Sequence, residues 1–107
     1  MDEARRRWHQ QHSRSWLQLV ATLHSEGWEA RVTCEAAPVQ VEGTLPSGKR
    51  FYFRARHRGV SLGIGGDDPA DIPAWEASES HQEASYLPAD VGEAIIRRLA
   101  RRYLGER

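Results

Sequence analysis

The chain holds one cysteine, Cys34, one lysine, Lys49, and nowhere the ~18 consecutive apolar residues that a membrane span needs. Each scarcity removes a class of protein. A lone thiol closes no internal disulfide, and a zinc site would have to rely on histidines and carboxylates. Residues 1–16 are polar and charged without the apolar centre of a secretory signal, so a cytoplasmic chain with no membrane partner is expected. Positive charge is missing from residues 59–96, where Asp67, Asp68, Asp71, Glu76, Glu79, Glu83, Asp90 and Glu93 occur without Lys or Arg. Because the whole chain sums to zero, that segment carries −8 and the remainder +8.

At 107 residues the chain suits one domain, here an α+β domain over residues 1–107. It is too short for the large nucleotide-binding, barrel or hydrolase architectures. Fourteen of the fifteen basic residues are arginine, a skew that coding composition produces as readily as selection for nucleic acid.

Hydrophobic periodicity divides the chain into helix, strands and helix. Over residues 3–25, Trp8, His12, Trp16, Leu19, Val20 and Leu23 fall within an arc of about 120° at ~100° per residue, and Gly27 supplies the stop. From Trp28 the period becomes two, with Trp28/Ala30/Val32/Cys34, Val39/Val41/Gly43/Leu45, Phe51/Phe53/Ala55 and Val60/Leu62/Ile64 each on one face. Four strands follow, and residues 74–80 allow a fifth at an edge, anchored by Trp75. From Pro88 the helical pattern returns, with Val91, Ile95, Ile96, Leu99 and Tyr103 as its buried stripe, acids near its start and arginines near its end. The expected architecture is an antiparallel meander with both helices on its apolar face and the other face open.

Turn chemistry sets the expected register. The run Leu45-Pro46-Ser47-Gly48-Lys49 suits a three-residue hairpin loop with Gly48 in the left-handed region, which pairs Val41 with Phe53 and Gly43 with Phe51. A turn on Arg58-Gly59 would pair His57 with Val60, Ala55 with Leu62 and Phe53 with Ile64. A loop over residues 35–38 sets Cys34 opposite Val39, as a buried thiol, and Val32 opposite Val41. On the open face this register aligns Arg31, Glu42 and Tyr52, then Gln40, Arg54 and Gly63, then Arg56 and Ser61. Gly63 and Gly65 would leave shallow space beside Tyr52 and Arg54.

Several motifs match known chemistry only as strings. Gly59-Val60-Ser61-Leu62-Gly63 fits G-x-S-x-G, but that pattern needs its serine on a strand-to-helix turn, whereas Ser61 falls inside a strand. Asp67-Asp68-Pro69-Ala70-Asp71 fits the D-D-x-x-D of isoprenoid synthases, whose carboxylates share a helix face that Pro69 would break. His9 and His12 share a helical side without a third metal ligand, and His24, His57 and His81 have no paired nucleophile. The helix, strands, helix order is similar to that of double-stranded RNA-binding domains, whose second helix begins on a lysine-rich phosphate clamp. Here that position reads Leu87-Pro88-Ala89-Asp90-Val91-Gly92-Glu93, and acids at a helix start repel phosphate, so the family is not assigned.

What remains is recognition. Tyr52, Arg54 and Arg56 alternate onto the open face, where an aromatic among guanidinium groups can meet a carboxylate or a phosphate. The expected function is a small non-enzymatic interaction module, of the inhibitor, immunity or accessory kind, with another protein as partner. Its expected contacts are Tyr52, Arg54 and Arg56, with Trp75, Asp67 and Asp68 as a second surface. Single-stranded nucleic-acid binding through the same face is the alternative, which the zero net charge disfavours, and a small enzyme with a pocket beside the acidic segment is a further one. No cofactor and no metal are expected. The oligomeric state is not set by the sequence, but Trp8 or Trp75 left exposed would favour self-association.

Overall fold

The computed structural model describes residues 2–66 and 73–105. Helix α1 (Glu3–Ser25) begins where the Asp2 carboxylate accepts the Arg5 N–H at 2.8 Å, satisfying one of the amide donors a helix start leaves open. It stops at Gly27, whose φ of +94° lets the Trp28 N–H turn back to the Leu23 carbonyl at 3.0 Å. Strands β1 (Glu29–Cys34), β2 (Val39–Thr44), β3 (Arg50–Arg56), β4 (Gly59–Ile64) and β5 (Trp75–Ser80) then pair antiparallel in chain order. A short 3-10 turn, Ala84–Tyr86, leads into helix α2 (Ala89–Tyr103). The expected fold holds, with the edge strand present as a fifth member of the sheet.

Alternation sorts each strand onto two faces. Val39, Val41, Phe51, Phe53, Ala55, Val60, Leu62 and Ile64 are all buried, and they meet Trp16, Leu19 and Leu23 of α1 and Ile95, Ile96 and Leu99 of α2. One core therefore lies between the sheet and a helical layer. The helices touch most closely where Gly92 faces Trp16: a β-carbon built on Gly92 would stand 2.4 Å from Trp16 Cη2. Fully buried Trp16 also donates its indole N–H to the Leu87 carbonyl at 3.1 Å, fixing the ring against the entry to α2.

The register is as expected across β2 and β3, where Val41 faces Phe53 and Gly43 faces Phe51. Leu45 and Lys49 close the hairpin at 2.8 Å with Gly48 at φ +90°. Between β3 and β4 the expectation is off by two residues: Ala55 pairs with Val60, Phe53 with Leu62 and Phe51 with Ile64. The turn is carried by His57 and Arg58, with His57 itself at φ +55°. A shift of two preserves every residue's face, so the core is unaffected. Long-range bonds hold the left-handed His57, its N–H donating to Ser85 Oγ at 2.8 Å and its carbonyl accepting the Ala84 N–H at 2.9 Å.

A second correction concerns Cys34. Val32 pairs with Val41 as expected, but a bulge at Thr33 sets Cys34 opposite Gln40 instead of Val39. The thiol is half-buried and donates to the Ala36 carbonyl at 3.5 Å, instead of packing inside the core.

Candidate functional site on the exposed sheet face

The face of the sheet turned away from the helices is laid out in cross-strand rows. Arg31, Glu42, Tyr52, Gly63 and Glu76 form one row, and Gln40, Arg54, Ser61 and Ser78 form the next. Arg56, Gly59 and Ser80 form a third. The two-residue shift at the β3–β4 turn therefore moves Gly63 beside Tyr52 and Ser61 beside Arg54. Tyr52 and Arg54 are half-buried and Arg56 is exposed, and none of the three lies beneath a helix.

The three arginines are not equivalent. Arg31 donates through Nη2 at 2.6 Å and Nε at 3.2 Å to Glu42, an exposed cross-strand pair. Arg56 donates its Nε–H to His57 Nε2 at 3.0 Å. Arg54 differs: its Nε is closed off from solvent and has no hydrogen-bond partner among the described residues. A guanidinium nitrogen withdrawn from water without compensation is a standing cost, on the order of 1–3 kcal/mol for a buried unpaired group.

The shallow space expected beside Gly63 and Gly65 is taken up. A β-carbon on Gly63 would lie 2.9 Å from Pro73 Cγ, and one on Gly65 would lie 2.8 Å from the Ala74 β-carbon. Both glycines serve the close approach of the segment returning to β5. The residue paired with Arg54 is the half-buried Ser61, and the exposed Ser78 lies one strand further on. Ser61 sits in mid-strand, as its period required, and not on the sharp turn that a nucleophilic serine needs.

The expected second surface does not join this panel. Trp75 points to the helix side, packed against the core with its ring centroid 5.4 Å from that of Tyr103. Asp67 and Asp68 lie outside the described residues, as does the whole of the D-D-x-x-D string. Among the described residues no three His, Cys, Asp or Glu side chains converge to hold a metal, and no helix is long and apolar enough to cross a membrane. His12 is nearly buried and hydrogen-bonded to the Glu35 carbonyl at 2.6 Å, which accounts for it structurally.

The charge asymmetry of the sequence is partly closed in space. Arg98 grips Glu79 through Nε at 3.0 Å and Nη2 at 2.6 Å, while Arg97 bridges Glu93 at 2.9 Å and Glu26 at 2.7 Å. Hydrogen bonding from these guanidinium groups, outweighing desolvation, holds the Glu79 and Glu26 carboxyls below the usual carboxylate range and raises both arginines. Two members of the acidic stretch, Glu79 and Glu93, thus have partners on α2, among arginines whose place near its end also suits the helix dipole.

Sequence reasoning missed an aromatic surface on the helical side. Trp8 is 40% exposed and Tyr86 55%, with ring centroids 6.0 Å apart, and the Trp8 ring stacks on His12 at 4.6 Å. Trp8 sits at the margin of the α1 stripe, while Tyr86 belongs to the aperiodic stretch before α2, so only their meeting in space identifies the patch. Compared with known proteins, the chain matches no family model, no curated protein and no solved structure.

Proposed function

We propose that this chain is a small non-enzymatic interaction module that recognises a carboxylate-bearing protein surface through Tyr52, Arg54 and Arg56. The observation that carries the reading is the sealed, unpaired Nε of Arg54 on an open sheet face. Nothing among the described residues repays the desolvation of that nitrogen, and on our reading the rest of the half-buried guanidinium meets an external carboxylate. Tyr52 lies two residues away on the same strand face, and the residue paired with Arg54 on β4 is the small Ser61. Arg56, already turned toward His57, adds positive potential at the edge. A cytoplasmic inhibitor, immunity or accessory factor is the role we assign to such a module.

The test is capture from a native lysate followed by mass spectrometry, comparing wild type with the Tyr52→Ala, Arg54→Ala double variant. Loss of one protein from the double variant, with its far-UV circular dichroism unchanged, supports the panel. Equal capture by both proteins sinks it. A salt-sensitive mobility shift with single-stranded probes, abolished in the same variant, would move the reading to nucleic acid instead.

A further inference from the structure

The stripe by which α1 packs on the sheet continues past the end of the core. Arg5, His9, His12, Trp16, Leu19 and Leu23 recur at alternating spacings of four and three, but the first buried residue among them is His12. Residues 2–11 are all exposed, so about 15 Å of helix runs beyond the core at ~1.5 Å per residue. Along that length the stripe changes from apolar side chains to Arg5 and His9, with Trp8 at its margin. Together with Tyr86 these three line a hollow of about 620 Å³. Trp8 is held there in a fixed orientation. His12 stacks on its ring with the planes 14° apart and is itself bonded to the Glu35 carbonyl at 2.6 Å, while Tyr86 meets the indole edge-on. The same stretch of helix carries Arg5, Arg6, Arg7 and Arg14, and among the described residues none of these four forms an ion pair. They outnumber the acids beside them, Asp2 and Glu3.

We propose that this overhanging part of α1, with Tyr86, binds single-stranded nucleic acid. A base stacks on the exposed ring area of Trp8 or Tyr86, and Arg5, Arg6 and Arg7 meet the phosphates around it. Charge and ring geometry together choose this occupant. A second copy meeting at the patch would set arginine against arginine. An acidic protein surface complements the charge but leaves both exposed rings without a stacking partner. A duplex keeps its base faces inside its own stack and offers the rings nothing. Successive arginines at ~100° intervals reach different sides of the helix, which suits a strand that bends round it better than a flat surface. Glu83 and Asp90 flank Tyr86 in sequence, so the phosphates keep to the arginine side and only a base approaches Tyr86. The chain's zero net charge is no bar, because its acids are concentrated in residues 59–96, where Glu79 and Glu93 are already paired. The site lies off the sheet face, so the inference stands independently of the Tyr52–Arg54 panel.

Titration of a fluorescein-labelled oligothymidylate of about 15 nucleotides with the full chain, read by anisotropy, should show saturable binding at low salt. Three phosphate contacts predict that log K falls with log salt at a slope of about −2. Trp8→Ala should weaken binding by about tenfold or more, and Trp8→Phe, which keeps a ring, by clearly less. Replacing Arg5, Arg6 and Arg7 together by Gln should bring the slope close to zero with the far-UV spectrum unchanged. The Tyr52→Ala, Arg54→Ala variant should bind as wild type does, which separates this site from the sheet face. Absence of salt-sensitive binding overturns the proposal, as does full affinity in a folded Trp8→Ala protein. A duplex of the same length bound as tightly would also overturn it, and polyglutamate competing as well as the oligonucleotide would reassign the patch to an acidic protein.

Discussion

Gly92→Ala sets two opposing effects of known size against each other inside α2. Helix propensity alone favours alanine by about 1 kcal/mol over an interior glycine. Against this, the new methyl would stand 2.4 Å from Trp16 Cη2, 3.0 Å from Cζ2 and 3.4 Å from Leu87 Cδ2. Carbon atoms settle at ~3.5–4.0 Å, so the ring has to withdraw by roughly 1 Å. Trp16 has nowhere easy to go, being fully buried and hydrogen-bonded to the Leu87 carbonyl. Overpacking of this kind costs about 1–3 kcal/mol, and stretching the indole hydrogen bond adds up to ~1 kcal/mol. A contact as short as 2.4 Å belongs to the upper part of the overpacking range, about 2–3 kcal/mol, so after the propensity gain the expected net result is a loss of about 1–3 kcal/mol.

For a domain of this size each kcal/mol moves the thermal midpoint by ~4–8 °C, so the variant should melt at least ~4 °C lower, read by far-UV circular dichroism and confirmed by urea titration. The decisive control is the same substitution in a Trp16→Phe background, where Cη2 and Cζ2 are gone. There the cost should shrink, giving a coupling of about 1 kcal/mol or more across the cycle. A Gly92→Ala protein as stable as wild type, or more so, would show that propensity wins and that the α1–α2 contact yields freely.

Three further outcomes follow from the same geometry. Gly43→Ala would place a β-carbon 1.8 Å from the Glu29 carbonyl oxygen on the neighbouring strand, and because that neighbour is backbone, a loss of about 2 kcal/mol or more in urea is expected. A change under ~0.5 kcal/mol would mean that β1 is not held against β2 at this point. Glu79 and Glu26 titrate below their unfolded values, so their contribution is present at neutral pH and is lost as pH falls through the folded values, beneath the ordinary glutamate pKa of ~4.3. Glu79→Gln should cost ~0.5–1 kcal/mol at pH 7, less in high salt because Arg98 is half-exposed, and nothing once both carboxyls are protonated; a difference that persists in acid would be inconsistent with this pair. Arg54→Met removes a buried nitrogen that has no partner, so it should leave stability unchanged or raise it by up to ~1 kcal/mol while abolishing capture, and a clear destabilisation would assign Arg54 a structural role.

The sequence revealed whatever depends on residues near one another or on period. Both helices, the faces of β2, β3 and β4 and the Pro46-Ser47-Gly48 hairpin were legible because local chemistry and burial agree there. The β3–β4 register was not legible, since reading Gly59 as a turn residue is the better local choice. Its competitor wins through Ala84 and Ser85, which hold His57 in the left-handed region from more than 25 positions away. Likewise the Thr33 bulge turns Cys34 out of the pairing that alternation prescribes. Of the candidate site, Tyr52, Arg54 and Arg56 were placed on the correct face by alternation alone. The filling of the glycine hollow by Pro73 and Ala74 needed the course of the returning chain, and Trp75 was drawn to the core by Tyr103, a residue of α2.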